Sequence, residues 1–245
     1  IKMGIRIGTS GWHYGHWKGP FYPKDMPDRE MLKEYARHFS SAEINNSFYN
    51  LPSKKTFKDW YGKVPDDFVF AVKASRYITH MKKLKCGVGP VKKFLNAVKG
   101  LDGKLGPVLF QLPPRWKKNV ERLEKFLAVL PPGYRYTMEF RDPDWFSEDV
   151  YSALRKNNVA FCIYELDRRL SPKKVTADFV YIRLHGPNGP YKGKYSKKRL
   201  SGWAGAISAW RRKGLDVYCY FDNDQKGYAV VNAQELQKMT MKSEK

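Results

Sequence analysis

The 245-residue chain carries 46 Lys and Arg against 24 Asp and Glu, a formal charge of +22. Solubility needs far less, and an ion-pair surface of thermophilic type would raise Glu along with Lys, so a polyanion is the expected partner. No apolar stretch reaches the length of a membrane span, the charged start Ile1-Lys2-Met3-Gly4-Ile5-Arg6 is too short for a signal peptide, and no linker or low-complexity tract divides the chain. The expectation is a cytoplasmic protein, folded as one domain over residues 1–245.

Apolar runs of strand type recur about every thirty residues, separated by helical patterns, and this alternation points to parallel βα units. Strands are expected at Ile5 to Thr9, Ala42 to Asn45, Phe68 to Lys73, Val108 to Gln111, Tyr136 to Phe140, Val159 to Tyr164, Phe179 to Leu184 and Val217 to Phe221. Helices are expected at Asp28 to Phe39, Lys54 to Tyr61, Val91 to Val98, Val120 to Leu130, Glu148 to Lys156, Lys197 to Arg212 and Ala229 to Met239. Asn119 and Ser147 stand where N-caps belong. After the sixth strand, Asp167 to Thr176 holds Pro172 and little apolar periodicity, so a helix is not expected there. The fold class is α/β: a single (β/α)8 TIM barrel with an irregular sixth βα unit, with a doubly wound open sheet as the alternative. Cys86, Cys162 and Cys219 are read as reduced structural thiols.

Six of these runs end on polar or charged residues, where a strand buried on both faces should stay apolar. Alternate residues share a face, so Glu43 with Asn45, Ala71 with Lys73, Thr137 with Glu139, and Tyr181 with Arg183 and His185 are each co-facial. If those faces turn inward, Glu43, Lys73, Glu139 and Arg183 meet at the barrel mouth. The bland reading is a buried ion network that fills the barrel; the functional one takes Glu43 and Glu139 as bases or metal ligands, His185 as an acid, and Lys73, Arg141 and Arg183 as holders of phosphate or carboxylate groups. A desolvated Lys73 would alternatively suit a Schiff base. Glu43, Glu139, His185 and Asp222 are also the groups able to converge on a divalent metal, Mg or Mn rather than Zn, although neither HxH nor HExxH spacing is present.

Two loops belong to the same face. Asn188 to Arg199, after the seventh expected strand, combines Gly and Pro with unopposed bases and with tyrosines able to stack on bases or sugars, so Tyr191, Lys192, Lys194 and Tyr195 are binding candidates. The first loop, Ser10 to Gly19, adds aromatic and imidazole groups but matches no phosphate-loop motif. From Arg76 to Lys118 eleven bases face the single acid Asp102.

Taken together, Gly8-Thr9-Ser10-Gly11-Trp12, Glu43 to Tyr49, Phe70 to His80, Gly106 to Pro114 with Gln111-Leu112-Pro113-Pro114, Glu139-Phe140-Arg141, Tyr181 to Gly186 and Asp222 to Ala233 resemble the YecE-like family, a domain of unknown function. The segments run in order along nearly the whole chain. The resemblance implies a TIM barrel of the xylose isomerase and endonuclease IV class, without endonuclease IV's histidine-rich zinc pattern, and an asparagine is usual where Asp222 stands. Carried onto the matching positions, it adds Trp12, Asn45, Arg76, His80, Gln111, Asn223 and Asn232 to the binding candidates.

Three functions stay open. The first is an enzyme cleaving phosphodiesters of nucleic acid or nucleotides, the second an isomerase, lyase or hydrolase of an anionic sugar or sugar phosphate, and the third a nucleic-acid-binding protein without catalysis.

Overall fold

The computed structural model describes residues 4–242; Ile1 to Met3, at the start of the amino-terminal segment read above, lie outside them. Nine strands form one sheet: β1 (Ile5–Thr9), β2 (Ser41–Ile44), β3 (Val69–Lys73), β4 (Leu105–Gln111), β5 (Tyr136–Glu139), β6 (Ala160–Leu166), β7 (Arg169–Leu170), β8 (Phe179–Leu184) and β9 (Asp216–Phe221). Seven α-helices are present among the described residues: α1 (Met31–His38), α2 (Lys54–Tyr61), α3 (Val88–Val98), α4 (Val120–Ala128), α5 (Glu148–Lys156), α6 (Lys197–Arg212) and α7 (Tyr228–Lys242). The eight expected strands are all there, with ends moved by three residues at most. No helix of the described residues is long and apolar enough to cross a membrane.

Apart from the two-residue β7, which pairs antiparallel with β6, every neighbour is parallel in the order β1-β9-β8-β6-β5-β4-β3-β2. Pairing of β1 with β9 at one side and with β2 at the other removes the open-sheet alternative. The ring closes between β1 and β2, where Ser10 and Glu43 form a parallel bridge and Gly11 N donates to Glu43 O at 2.8 Å. Below that bridge the two strands are joined by a side chain: Thr9 N donates to Tyr35 Oη at 2.9 Å, and Tyr35 Oη donates to Ser41 O at 3.1 Å. Gly8 is required beside it, because a Cβ there would lie 2.0 Å from Ser41 O.

Period-two alternation sorts the strand residues. Phe70, Val72, Val108, Phe110, Ile182 and their outward partners pack against the helices, whereas Val69, Ala71, Leu109, Cys162, Tyr181, Tyr218 and Tyr220 form a second cluster inside the barrel. Continuing that inner face toward the strand carboxyl ends brings up Glu43, Lys73, Glu139 and Arg183. The interior is thus apolar and aromatic below and ionic above.

Three details concern the expected local structure. Asn119 caps α4, accepting from Arg122 N at 2.8 Å. Ser147 does not cap α5 with its side chain; its hydroxyl turns to the Asp149 carboxylate instead. The crossover from β6 to β8 has no α-helix, as expected, and hydroxyl groups serve β6 in its place: Phe161 N donates to Thr176 Oγ1 and Tyr164 N to Ser171 Oγ, each at 2.8 Å. The three cysteines are free thiols, Cys162 and Cys219 buried.

Because Tyr35 is fully buried, Tyr35→Phe strands both Thr9 N–H and Ser41 C=O at the barrel seam. Urea unfolding should show a loss of about 1–3 kcal/mol; a loss indistinguishable from zero would mean that the seam is held without the hydroxyl.

Candidate active site at the barrel mouth

The inward-facing ends of β2, β5, β8 and β9 place Glu43, Glu139, Arg183 and, just past the strands, His185 and Asp222 around one point. The fully buried guanidinium of Arg183 occupies that point. Its Nε and Nη2 lie 3.0 and 2.8 Å from the Oε2 and Oε1 of Glu43, its Nη1 2.9 Å from Glu139 Oε2, and its Nη2 3.3 Å from Asp222 Oδ2. Glu43 also accepts from Tyr181 Oη at 2.6 Å and from Ser10 Oγ. Glu139 pairs its other oxygen with Arg141 Nε. Burial disfavours a charged Glu139, but Arg141 and Arg183 outweigh it and hold the carboxyl well below the usual range.

His185 is buried against this layer. Its Nδ1 lies 3.0 Å from Asp222 Oδ2, and its Nε2 lies 3.1 Å from Arg141 Nη2 and 3.2 Å from Arg183 Nη1. Two guanidinium donors on Nε2 require that nitrogen to be the acceptor, so Nδ1 carries the proton and gives it to Asp222. Burial, reinforced by Arg183 and Arg141, pushes the imidazole well below its usual pKa and keeps it neutral.

A second, more open tier lies above. Lys73 is partly exposed, its ammonium 4.1 Å from the centre of the Phe48 ring. Among the described residues it has neither a hydrogen-bond acceptor nor an ion-pair partner. Burial, then the charge of Arg183, brings its pKa down to about 8. Asp222 moves the other way: burial outweighs Arg183 and raises it to about 6. Arg141, spread over the Tyr164 ring at 4.9 Å, has one terminal nitrogen without an acceptor among the described residues. Gln111 stands half-buried at the end of β4. Asn45 donates to Ser10 Oγ while its own buried oxygen finds no partner.

After β3 the chain makes a π-turn over Tyr77–Met81, with Lys82 N donating to Tyr77 O at 2.9 Å. This wide turn carries the exposed Arg76 and sets the His80 ring 4.9 Å from Phe48. Burial followed by Lys73 lowers His80 to about 4, so this imidazole is neutral as well. Turns of this type recur at functional sites.

Other candidates take supporting positions. Tyr195 is buried, its hydroxyl accepting from Gly186 N at 3.1 Å. Asn232 receives Tyr195 N at 2.9 Å, and Asn223 donates to Gly193 O at 2.9 Å, so both asparagines tie down the loop after β8. Gly186, at φ +116°, lets that loop fold back, since a Cβ would meet Lys192 O at 2.4 Å. The loop presents Tyr191 and Lys192 outward, and Lys194 pairs with Glu235 at 3.0 Å. Trp12 is largely buried between Trp60 and Phe70. Ser10, Phe48 and Tyr181 complete the site without having been singled out as candidates; alternation along β8 places Tyr181 beside Arg183, but nothing in the chain shows that its hydroxyl meets Glu43.

The arrangement does not suit a metal. The acids that Mg or Mn would need are engaged by Arg183 and Arg141, and among the described residues no three His, Cys, Asp or Glu side chains form a cation site. A guanidinium stands where the cation would be.

Three cations, Arg141, Arg183 and Lys73, thus face three carboxylates, Glu43, Glu139 and Asp222. Replacing Arg183 with Met leaves the buried Glu43 without a counter-charge and Glu139 with Arg141 alone, and should cost about 3–5 kcal/mol in denaturant unfolding at pH 7. Asp222→Asn should do the opposite. Its native pKa of about 6 lies above the ordinary 3.8, so the charged carboxylate lowers stability as pH rises from about 4 to about 6, and the deficit persists above. The variant should therefore melt higher than the parent at pH 7.5 and like it at pH 4; equal melting at both would show that Asp222 carries no such burden.

Known proteins share this architecture. The chain is 24% identical to the UPF0759 protein YunF of Bacillus subtilis (strain 168), over 95% of this chain and 93% of that protein. It is 33% identical to the UPF0759 protein YecE of Escherichia coli (strain K12) over 145 residues, 59% of this chain and 51% of YecE. The crystal structure of a DUF72 family protein from Thermotoga maritima MSB8, 29% identical, matches 97% of this chain and 99% of that one with a TM-score of 0.88. Residues 6–245 match the profile described as "Protein of unknown function DUF72", and the chain belongs to that family.

Proposed function

We propose that the barrel mouth is the active site of an enzyme that cleaves phosphodiesters of nucleic acid or nucleotides. The observation that carries this reading is Lys73: a partly buried ammonium with no hydrogen-bond acceptor or ion-pair partner among the described residues, within electrostatic reach of Asp222, whose pKa is displaced in the opposite direction. Such opposed shifts mark an acid–base pair. Between about pH 6 and pH 8 Asp222 is ionised while Lys73 keeps its proton.

In that window Lys73 and the free nitrogen of Arg141 hold the phosphate. Asp222 takes a proton from the attacking water as its oxygen bonds to phosphorus, and Lys73 donates a proton to the leaving oxygen as the P–O bond breaks. Glu43 and Glu139 then act by fixing Arg183 and Arg141, and the neutral His185 orients Asp222; these are positioning residues. Outside the mouth, Arg76, Lys82, Lys83, Lys85 and Lys192 make no ion pair among the described residues and supply a field for a polyanion.

One observation favours the small-molecule reading. A cavity of about 230 Å³, lined by Gly11, Trp12, His13, Tyr14, Ile44, Asn45 and Asn46, adjoins the mouth and matches a single sugar-sized group better than a duplex. A larger cavity, about 560 Å³, lies by Gly4, Phe39 and Gln237 at the opposite end of the barrel, away from this chemistry.

Hydrolysis of fluorophore-quencher oligonucleotides and of a chromogenic phosphodiester is the direct test. The rate should rise through about pH 6 and fall above about pH 8. Lys73→Met and Asp222→Asn should each lower it on the order of a hundredfold or more. Thermal stabilisation by a sugar phosphate with none by oligonucleotides would transfer the assignment to the second reading, and undiminished turnover in both variants would remove this one.

A further inference from the structure

Six large apolar side chains stand exposed among the described residues: Tyr49, Tyr77, Met81, Leu170, Tyr191 and Met241. The three tyrosines, 76%, 40% and 49% exposed, all belong to loops leaving the carboxyl ends of barrel strands, Tyr49 after β2, Tyr77 after β3 and Tyr191 after β8. In the ring order β3 and β8 are four places apart among eight, so their loops face each other across the mouth, and β2 lies next to β3.

Each side of the mouth combines rings with unpaired charge. On the β2–β3 side, Phe48 faces the Lys73 ammonium at 4.1 Å and packs Tyr49 at 4.9 Å, which puts Tyr49 one ring away from the proposed acid. The Lys82 ammonium lies 5.5 Å from the Tyr77 ring, with Arg76 before it and Lys83 and Lys85 after it in the same segment. On the β8 side, Tyr191 sits 5.7 Å from His185, with Lys192 next in sequence.

We infer that a single nucleic-acid strand lies across the mouth, bases stacked on Tyr49 and Tyr77 at one side and on Tyr191 at the other, with its backbone following Arg76, Lys82, Lys83, Lys85 and Lys192. A base stacks on a tyrosine only when its face is free, which a duplex denies except at its ends; separated aromatic platforms among cations therefore select an unpaired strand. The span between the platforms passes over Lys73 and Asp222, so a phosphodiester lies above them. The inference deepens the reading of the mouth as a phosphodiesterase site and rests on it.

The test is fluorescence anisotropy with a labelled mixed-sequence DNA of about 12 nucleotides, a length within the range of single-strand binding sites, offered at matched salt as a single strand and as a blunt duplex. The parent protein should bind the single strand at least about tenfold more tightly, and Tyr49→Ala, Tyr77→Ala and Tyr191→Ala should each weaken it about five- to hundredfold. The corresponding Phe variants should bind like the parent, which separates stacking from any effect on folding. Lys82→Gln and Lys192→Gln should flatten the dependence of affinity on salt. Equal affinity for the duplex, no binding of either form, or alanine variants that bind like the parent would overturn the inference. Cleavage abolished by Asp222→Asn alongside unaltered binding by the tyrosine variants removes the stacking track and leaves the phosphodiesterase reading. Loss of binding in the tyrosine variants alongside undiminished cleavage in Asp222→Asn does the reverse.

Discussion

A guanidinium withdrawn completely from water must be surrounded by acceptors, and the site follows from meeting that demand at Arg183. Two edges of the guanidinium are met by Glu43 and Glu139. Each glutamate is then held by further donors, Ser10 and Tyr181 on Glu43 and Arg141 on Glu139. The network is saturated at its centre, and what remains unsatisfied is pushed to its upper boundary. Asp222 there shares one oxygen between Arg183 and His185, and Lys73 has no acceptor among the described residues. The buried tier therefore serves as a rigid electrostatic floor, and reactivity belongs to the residues that the floor leaves over.

Barrel closure makes this possible. Arg183 and Glu43 are 140 residues apart in the chain, yet their strands project into the same hollow because the first two strands are joined by one main-chain bridge and one tyrosine hydroxyl. That seam lies directly beneath Ser10, whose hydroxyl holds Glu43. Seam geometry and site geometry are accordingly coupled: loosening β1 from β2 would shift the carboxylate on which the guanidinium depends.

Much of this was legible in the residues. The apolar runs identified the strands, period-two alternation showed that Glu43, Lys73, Glu139 and Arg183 would meet if their faces turned inward, and the proline-bearing stretch after β6 signalled a crossover without a helix. Other features were not accessible. Alternation says which face a residue occupies but not which side chain arrives from across the barrel, so the engagement of both glutamates by guanidiniums could not be read, nor the donors on His185 Nε2. Tyr195, Asn223 and Asn232 look like binding residues in a loop rich in Gly and Lys, yet their hydrogen bonds run inward because the loop needs an anchor. The π-turn after β3, which brings His80 against Phe48, has no compositional signature.

The equality of positive and negative groups at the mouth has a consequence for occupancy. An arriving phosphodiester adds a negative charge to a pocket that already balances, and a low-dielectric pocket resists holding that imbalance. The correction that leaves Asp222 ionised is a proton on Lys73, whose pKa of about 8 leaves it partly neutral in mildly alkaline solution. Occupancy and proton uptake are therefore linked: around pH 8 the apparent heat of association should vary with the ionisation enthalpy of the buffer, and affinity for an anion should strengthen as the solution falls from alkaline pH toward neutrality.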